Sequence, residues 1–163
     1  MTLQNPAEKT MSCKEAAAWS EKLKKTGKRI VLTNGCFDVL HRGHAEYLMQ
    51  ARAQGDALVV LLNSDASVRA LKGPKRPVNK EADRAFLLGC LEFVDAVCVF
   101  EGERCSKEIT AIAPNIYVKG GDYTVESLNQ EERAALFGVG AKIVFIPLVA
   151  GLSTTKILER AAP

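Results

Sequence analysis

KRIVLTNG (28–35), CFDVLHRGHAEYLMQARAQG (36–55) and ALVVLLN (57–63) follow one another almost without a break, and their reading decides the fold. The first and third pieces are short apolar runs that end at Gly35 and Asn63. Neither alternates apolar with polar residues, so each is expected to be a strand covered on both faces, as in a parallel sheet. Between them, Ala45, Leu48, Met49 and Ala51 recur at helical spacing, and Gly55 is expected to cap the helix at its C-terminal end. Strand, helix and strand make a β-α-β unit.

The same alternation continues outward. A short helix is expected from Asp65 to Leu71, then a basic Pro/Gly loop KGPKRPVNK (72–80), then a helix from Lys80 to Leu91. Strands follow at AVCVF (96–100), NIYVKGG (115–121) and KIVFIP (142–147), separated by helices at 105–112 and 130–140. A last helix begins at Ser153, a good N-cap. Upstream, Met11 to Lys25 carries Ala16, Ala17, Trp19 and Leu23 among Lys and Glu and reads as an amphipathic helix. The expected fold is α/β: a single Rossmann-like open parallel sheet of about five strands with helices on both faces. Residues 1–27 form an N-terminal helical extension and 28–163 the main domain. Such sheets bind ligands at the C-terminal ends of their strands, where strand order reverses.

Composition narrows the partners. The 163 residues suit one domain, and 47% hydrophobic with 25% charged residues is an ordinary globular balance. A net charge of +3 fits an anionic small substrate. No basic run is dense enough for a nucleic-acid patch, and no apolar run approaches membrane-spanning length, so neither partner is expected. The N-terminus lacks the apolar core of a signal peptide, which makes the cytoplasm the expected location. The five cysteines are odd in number and include no C-x-x-C pair, so neither a disulfide framework nor a zinc site is expected. Cys90 and Cys98 read as core thiols.

The only two histidines both lie in HRGH, residues 41–44. They sit between the first strand and the first helix, where free N–H groups and the positive end of the helix dipole attract phosphate. Gly43 lets a phosphate approach the backbone closely. Two imidazoles can donate hydrogen bonds to phosphate oxygens and speed a reaction if they fit its transition state better than its ground state. On these four residues alone, a helix start with two surface histidines remains an equal reading. A zinc centre lacks the further acidic or Cys ligands it needs. Asp38 has the alternatives of orienting a histidine, binding a hydroxyl or closing an Asx turn.

The longer string NGCFDVLHRGH closely resembles the signature of the HxGH nucleotidyltransferase superfamily, which includes cytidylyltransferases and FAD synthetases. LNSDASVRALKGPKRPVN, Arg84, VKGGDY and GLSTTKIL fall in the family's order, so the resemblance covers about residues 28 to 160. It implies that His41, His44 and Lys72 are catalytic. Gly35, Cys36, Phe37, Gly43, Ser153, Thr154 and Thr155 would hold the nucleotide. Asp38, Asn63, Asp65, Arg84, Lys119, Gly120 and Asp122 would face the second substrate. Lys75 and Arg76 are weaker candidates, and no residue is expected to be a metal ligand.

Within the superfamily the likeness is greatest to the adenylyltransferase domain of bacterial ADP-heptose synthesis proteins. That domain is often fused to a sugar kinase, and the absence of one here leads to the expectation of a stand-alone enzyme. The implied reaction joins ATP to a sugar 1-phosphate and releases pyrophosphate, with Mg²⁺ held by phosphates and water. The attacking oxygen is already anionic, so positioning and charge stabilisation should dominate. Relatives commonly form dimers, so a homodimer or higher homo-oligomer is expected. A glycerol-3-phosphate cytidylyltransferase is the alternative, weakened because Leu148 stands where that branch carries an arginine. A non-catalytic nucleotide sensor is an alternative of another class.

Overall fold

The computed structural model describes residues 5–121 and 123–162. The strands are β1 (Ile30–Gly35), β2 (Ala57–Asn63), β3 (Ala96–Phe100), β4 (Ile116–Gly120) and β5 (Lys142–Ile146). The helices are α1 (Cys13–Lys25), α2 (Arg42–Arg52), α3 (Asp65–Lys72), α4 (Glu81–Gly89), α5 (Ser106–Ile112), α6 (Gln130–Gly138) and α7 (Thr154–Ala161). Every expected strand and helix is present.

The five strands form one sheet in the order β3-β2-β1-β4-β5, and all pairings are parallel. The chain winds outward from β1 to β3, then crosses back to β4 on the other side. The reversal lies between β1 and β4, so their C-terminal ends open a crevice. Successive side chains of a strand point to opposite faces. Ile30 and Leu32 therefore join Val59, Leu61, Ile109, Ile112 and Leu136 in one buried layer, and Val31 joins Leu48, Leu58, Val60, Leu88 and Val118 in the other. This two-sided burial is why the strand runs show no polar alternation.

The residues ahead of β1 are packed against the same sheet. Ser12 and Glu15 form a reciprocal capping box at the start of α1, and Ala16 is buried in the same layer as Ile30. Thr10 makes a parallel bridge to Val97 on the edge strand β3, and the Met11 N–H donates to the Val97 carbonyl at 2.9 Å.

Three local expectations are corrected. Gly55 does not cap α2: the cap is Ala53, and a Cβ on Gly55 would lie 2.8 Å from the Arg29 carbonyl oxygen. Gly55 is required by close backbone approach. Cys13 and Cys98 are joined in a disulfide across 85 residues, a pairing that no local spacing betrays. Cys90 is exposed at the end of α4 and is not a core thiol.

Candidate active site

A cavity of about 470 Å³ opens at the C-terminal ends of β1, β2 and β4. Its wall is assembled from distant parts of the chain: Gly35 to Asp38 after β1, His44 on α2, Asn63 at the end of β2, Lys72 at the end of α3, Lys119 on β4, and Ser153 to Thr155 at the start of α7. The N-terminus of α7 and His44 in the first turn of α2 thus meet at one crevice, and a helix N-terminus favours an anion there.

The turn from β1 into α2 is tight. Phe37 takes a left-handed backbone conformation with φ 44°, rare for a residue with a side chain. Its ring meets the His44 ring edge-on, with centroids 5.3 Å apart. It also leaves no space at position 35, where a Cβ would lie 2.9 Å from the Phe37 ring. Gly35 and Phe37 therefore shape one another and set the floor on which His44 rests.

His41 and His44 stack, with ring centroids 3.8 Å apart and planes inclined by 22°. His41 is the N-cap residue of α2 and makes no side-chain capping bond. Burial, aided by the neighbouring His41, pushes the His44 imidazole down to about 4. Burial also lowers His41. His44 is therefore neutral near pH 7 in the free protein and carries a single N–H. Nδ1 of each ring is buried without a hydrogen-bond partner among the described residues. Of the two, only His44 lines the main cavity; His41 lies behind it beside Leu40, Ala45 and Leu91. Gly43 keeps the turn compact, since a Cβ there would come within 3.0 Å of the His41 ring.

Ser153 accepts the Lys156 N–H at 3.1 Å, so its hydroxyl caps α7. The Thr154 hydroxyl donates to the Val39 carbonyl at 3.3 Å and ties α7 to the turn before HRGH. Cys36 lines the cavity, and burial pushes its thiol up, so it stays protonated. Lys72 is exposed, and Gly73 follows it with φ 96°, which only glycine adopts without strain. Lys119 donates to the Asn34 side-chain oxygen at 3.0 Å, which also accepts the Tyr117 hydroxyl at 2.7 Å. A Cβ at Gly120 would lie 2.9 Å from the tip of Leu148 and 3.0 Å from the buried Tyr47 ring, a tight fit, and Gly121 turns the chain with φ 106°. Asp122 lies outside the described residues.

Three expected substrate contacts are instead engaged with the protein itself. Arg84 is fully buried. Its Nε donates to the Asn79 carbonyl at 2.9 Å, one terminal nitrogen to the carbonyls of Cys36 and Asn63 at 2.7 and 2.8 Å, and the other to Asp65 at 2.9 Å. Asp65 also accepts the Glu81 N–H at 2.8 Å. Neither Arg84 nor Asp65 is part of the cavity wall. Together they clamp the ends of β1 and β2 to the start of α4.

Asp38 does line the cavity, but its carboxylate accepts from Arg76 and from the backbone N–H groups of Val78 and Asn79. Burial favours its protonation, yet those donors outweigh burial and hold it below the ordinary carboxylate range. Asp38 thereby pins the basic loop beside the first turn. Asn63 lines the cavity while its amide donates to the Ser67 hydroxyl at 2.8 Å.

The wall includes residues that sequence reasoning did not single out: Asn34, Glu103, Arg104, Tyr123 and Glu132. Asn34 had a signal, since it ends an apolar strand beside Gly35. The others lie in segments whose placement depends on how α5 and α6 pack.

Comparisons with known proteins decide the family. A family model described as cytidylyltransferase-like matches residues 32–160. The chain belongs to the cytidylyltransferase-like family of nucleotidyltransferases.

The chain is 49% identical over 134 residues to the bifunctional protein HldE of Trichlorobacter lovleyi, a match covering 82% of this chain and 27% of that protein. It is 50% identical over 137 residues to the bifunctional protein HldE of Pelobacter propionicus, covering 84% and 28%. It thus spans under a third of the length of these curated relatives. Among solved structures, the lipopolysaccharide core biosynthesis protein from Thermoplasma volcanium superposes with a TM-score of 0.62 at 27% identity, covering 76% of this chain and 98% of that one. Pantoate-β-alanine ligase from Francisella tularensis, at 15% identity and a TM-score of 0.58, shares the fold. Among the described residues, no helix is long and apolar enough to cross a membrane.

Proposed function

We propose that the chain is an adenylyltransferase that joins ATP to D-glycero-β-D-manno-heptose 1-phosphate, giving ADP-heptose and pyrophosphate. The observation that carries the reaction class is the meeting of the α7 N-terminus, His44 and the cations Lys72 and Lys119 around one cavity. The choice of adenine and of a heptose rests on likeness to the ADP-heptose synthesis branch, including nearly half identity to HldE proteins.

In this reading the triphosphate lies between the N-termini of α2 and α7. The sugar phosphate oxygen attacks the α-phosphorus in line, and pyrophosphate leaves toward the Ser153–Thr155 end. His44, neutral and already desolvated, donates its N–H to an oxygen that gains charge as the phosphorus becomes five-coordinate. His41 backs that ring by stacking and holds its orientation. Lys72, on an exposed helix end next to a glycine hinge, closes over the phosphates. Asp38 and Arg84 act as positioning residues. Mg²⁺ would arrive on the triphosphate, held mainly by phosphate oxygens and waters. Residues 28–163 would form the catalytic unit, with residues 1–27 as its N-terminal extension, working in the cytoplasm as a homodimer or larger assembly.

The test is a pyrophosphate-release matrix crossing ATP and CTP with heptose 1-phosphates, glycerol 3-phosphate and FMN. ATP with the heptose 1-phosphate should dominate. CTP with glycerol 3-phosphate dominating would replace the substrate assignment, and nucleotide binding with no pyrophosphate from any pair would favour a sensor.

A further inference from the structure

Glu132 is unexpected in the wall of a cavity built for phosphates. It sits in the first turn of α6, is only 5% exposed, and lines the same cavity as Lys72 and Lys119. One carboxylate oxygen, Oε1, accepts the Cys105 N–H at 3.2 Å and lies 3.3 Å from the Cys105 thiol. The other, Oε2, has no hydrogen-bond donor among the described residues. No Lys or Arg forms an ion pair with Glu132 among those residues, although Lys119 lines the same cavity. A buried carboxylate without a cation is costly, and it repels any phosphate beside it. Its unused oxygen instead suits a neutral donor, and carboxylates take hydroxyl donors strongly.

The surroundings are specific about what that donor can be. Burial, and Glu132 beside it, push the Cys105 thiol far up, so it stays protonated and is no nucleophile. The Tyr117 hydroxyl is likewise held protonated, chiefly by burial, and is committed to Asn34. Both neighbours that could have competed for a ligand are thus locked as neutral groups. Of the three carboxylates in the cavity wall, Asp38 is taken up by Arg76, Val78 and Asn79 and Glu103 is exposed, which leaves Glu132 as the buried one with an oxygen to offer a ligand.

Resting on the proposed nucleotidyl transfer, we infer that Glu132 is a specificity residue that reads hydroxyl groups on a phosphate-bearing substrate, and so selects a polyhydroxylated phosphate ester over a simple one. Sugar phosphates and the ribose of the nucleotide both carry such hydroxyls. The carboxylate contributes no proton transfer. It discriminates because a ligand that covers Oε2 without offering a hydroxyl strips that oxygen of water and leaves it unpaired.

The experiment is equilibrium binding to the intact protein and to Glu132→Gln and Glu132→Asp, with thermal unfolding of each as a control. The acceptor arm uses heptose 1-phosphate, its singly deoxygenated analogues and inorganic phosphate, with a non-hydrolysable ATP analogue present. The nucleotide arm uses ATP, 2′-deoxy-ATP and 3′-deoxy-ATP. Wild-type protein should favour a hydroxylated ligand over one deoxy analogue by about ten- to a hundredfold, the range for a hydrogen bond to a charged group. In Glu132→Gln that ratio should collapse to within about threefold, while binding of the deoxy ligand is unchanged. Collapse in the acceptor arm identifies the sugar as the source, and collapse in the nucleotide arm the ribose. Equal losses for hydroxyl and deoxy ligands in both arms, or an unchanged ratio in Glu132→Gln, would overturn the inference. Binding needs no turnover, so a chain that binds and discriminates yet releases no pyrophosphate would refute the transfer reaction and leave the reading of Glu132 standing.

Discussion

Arg84 and Lys72 are both cations of the same corner of the molecule, yet they live by opposite rules. Arg84 is fully buried, and its guanidinium is shared among three backbone carbonyls and Asp65. Lys72 stands exposed at the end of α3, lines the cavity, and makes no ion pair within the chain among the described residues. A buried charge held at every nitrogen builds geometry; an exposed one with its donors free can meet a ligand. The proposed site needs both, because a mobile cation is useful only over a floor that does not move.

The comparison breaks most decisively at Arg84. Arg84→Met should cost about 3–5 kcal/mol of stability, since it strips buried carbonyls and a carboxylate of their partner. Urea unfolding would measure it, and a loss below about 1 kcal/mol would mean that the clamp is dispensable. His44→Ala should leave the unfolding midpoint nearly unchanged but lower kcat about 10²- to 10³-fold, the usual effect of removing one transition-state donor. Lys72→Ala should lower kcat/KM about ten- to a hundredfold, again with little change in stability, if it supplies a charged hydrogen bond to phosphate. A destabilised Lys72→Ala would erase the contrast with Arg84.

A further effect is one of pH. The folded protein holds His44 at about 4, below its ordinary 6.5, so between those values the unfolded chain binds a proton that the folded one refuses. The contribution of His44 is present in full above about pH 6.5 and is lost progressively as the pH falls toward 4. Unfolding curves at several pH values should show a shallower acid loss in His44→Asn than in the wild type.

The sheet was legible in the sequence because each strand is buried on both faces, which leaves an unbroken apolar run such as ALVVLLN. The first turn was legible through the longer string NGCFDVLHRGH and its likeness to a known signature, since HRGH alone reads equally well as a plain helix start. Arg84 and Asp65 were misplaced for a physical reason. A charged residue near a site reads the same whether it points at substrate or inward, and only packing shows that all three Arg84 nitrogens are held inside the protein. Glu132 was invisible for the converse reason. QEER looks like a solvated helix start, and only the packing of α6 against the loop before α5 turns one of its two glutamates inward. The Cys13–Cys98 bond was hidden by its 85-residue separation.

The Thr10–Val97 bridge has a further consequence. β3 ends the sheet, and a bare end strand offers its free amides and carbonyls to any extended peptide, including another copy of itself. By lying along that margin, the segment before α1 occupies it. A chain begun at residue 13 would keep every residue of the cavity and lose its guard against self-association, so its first symptom would be turbidity rather than slow turnover.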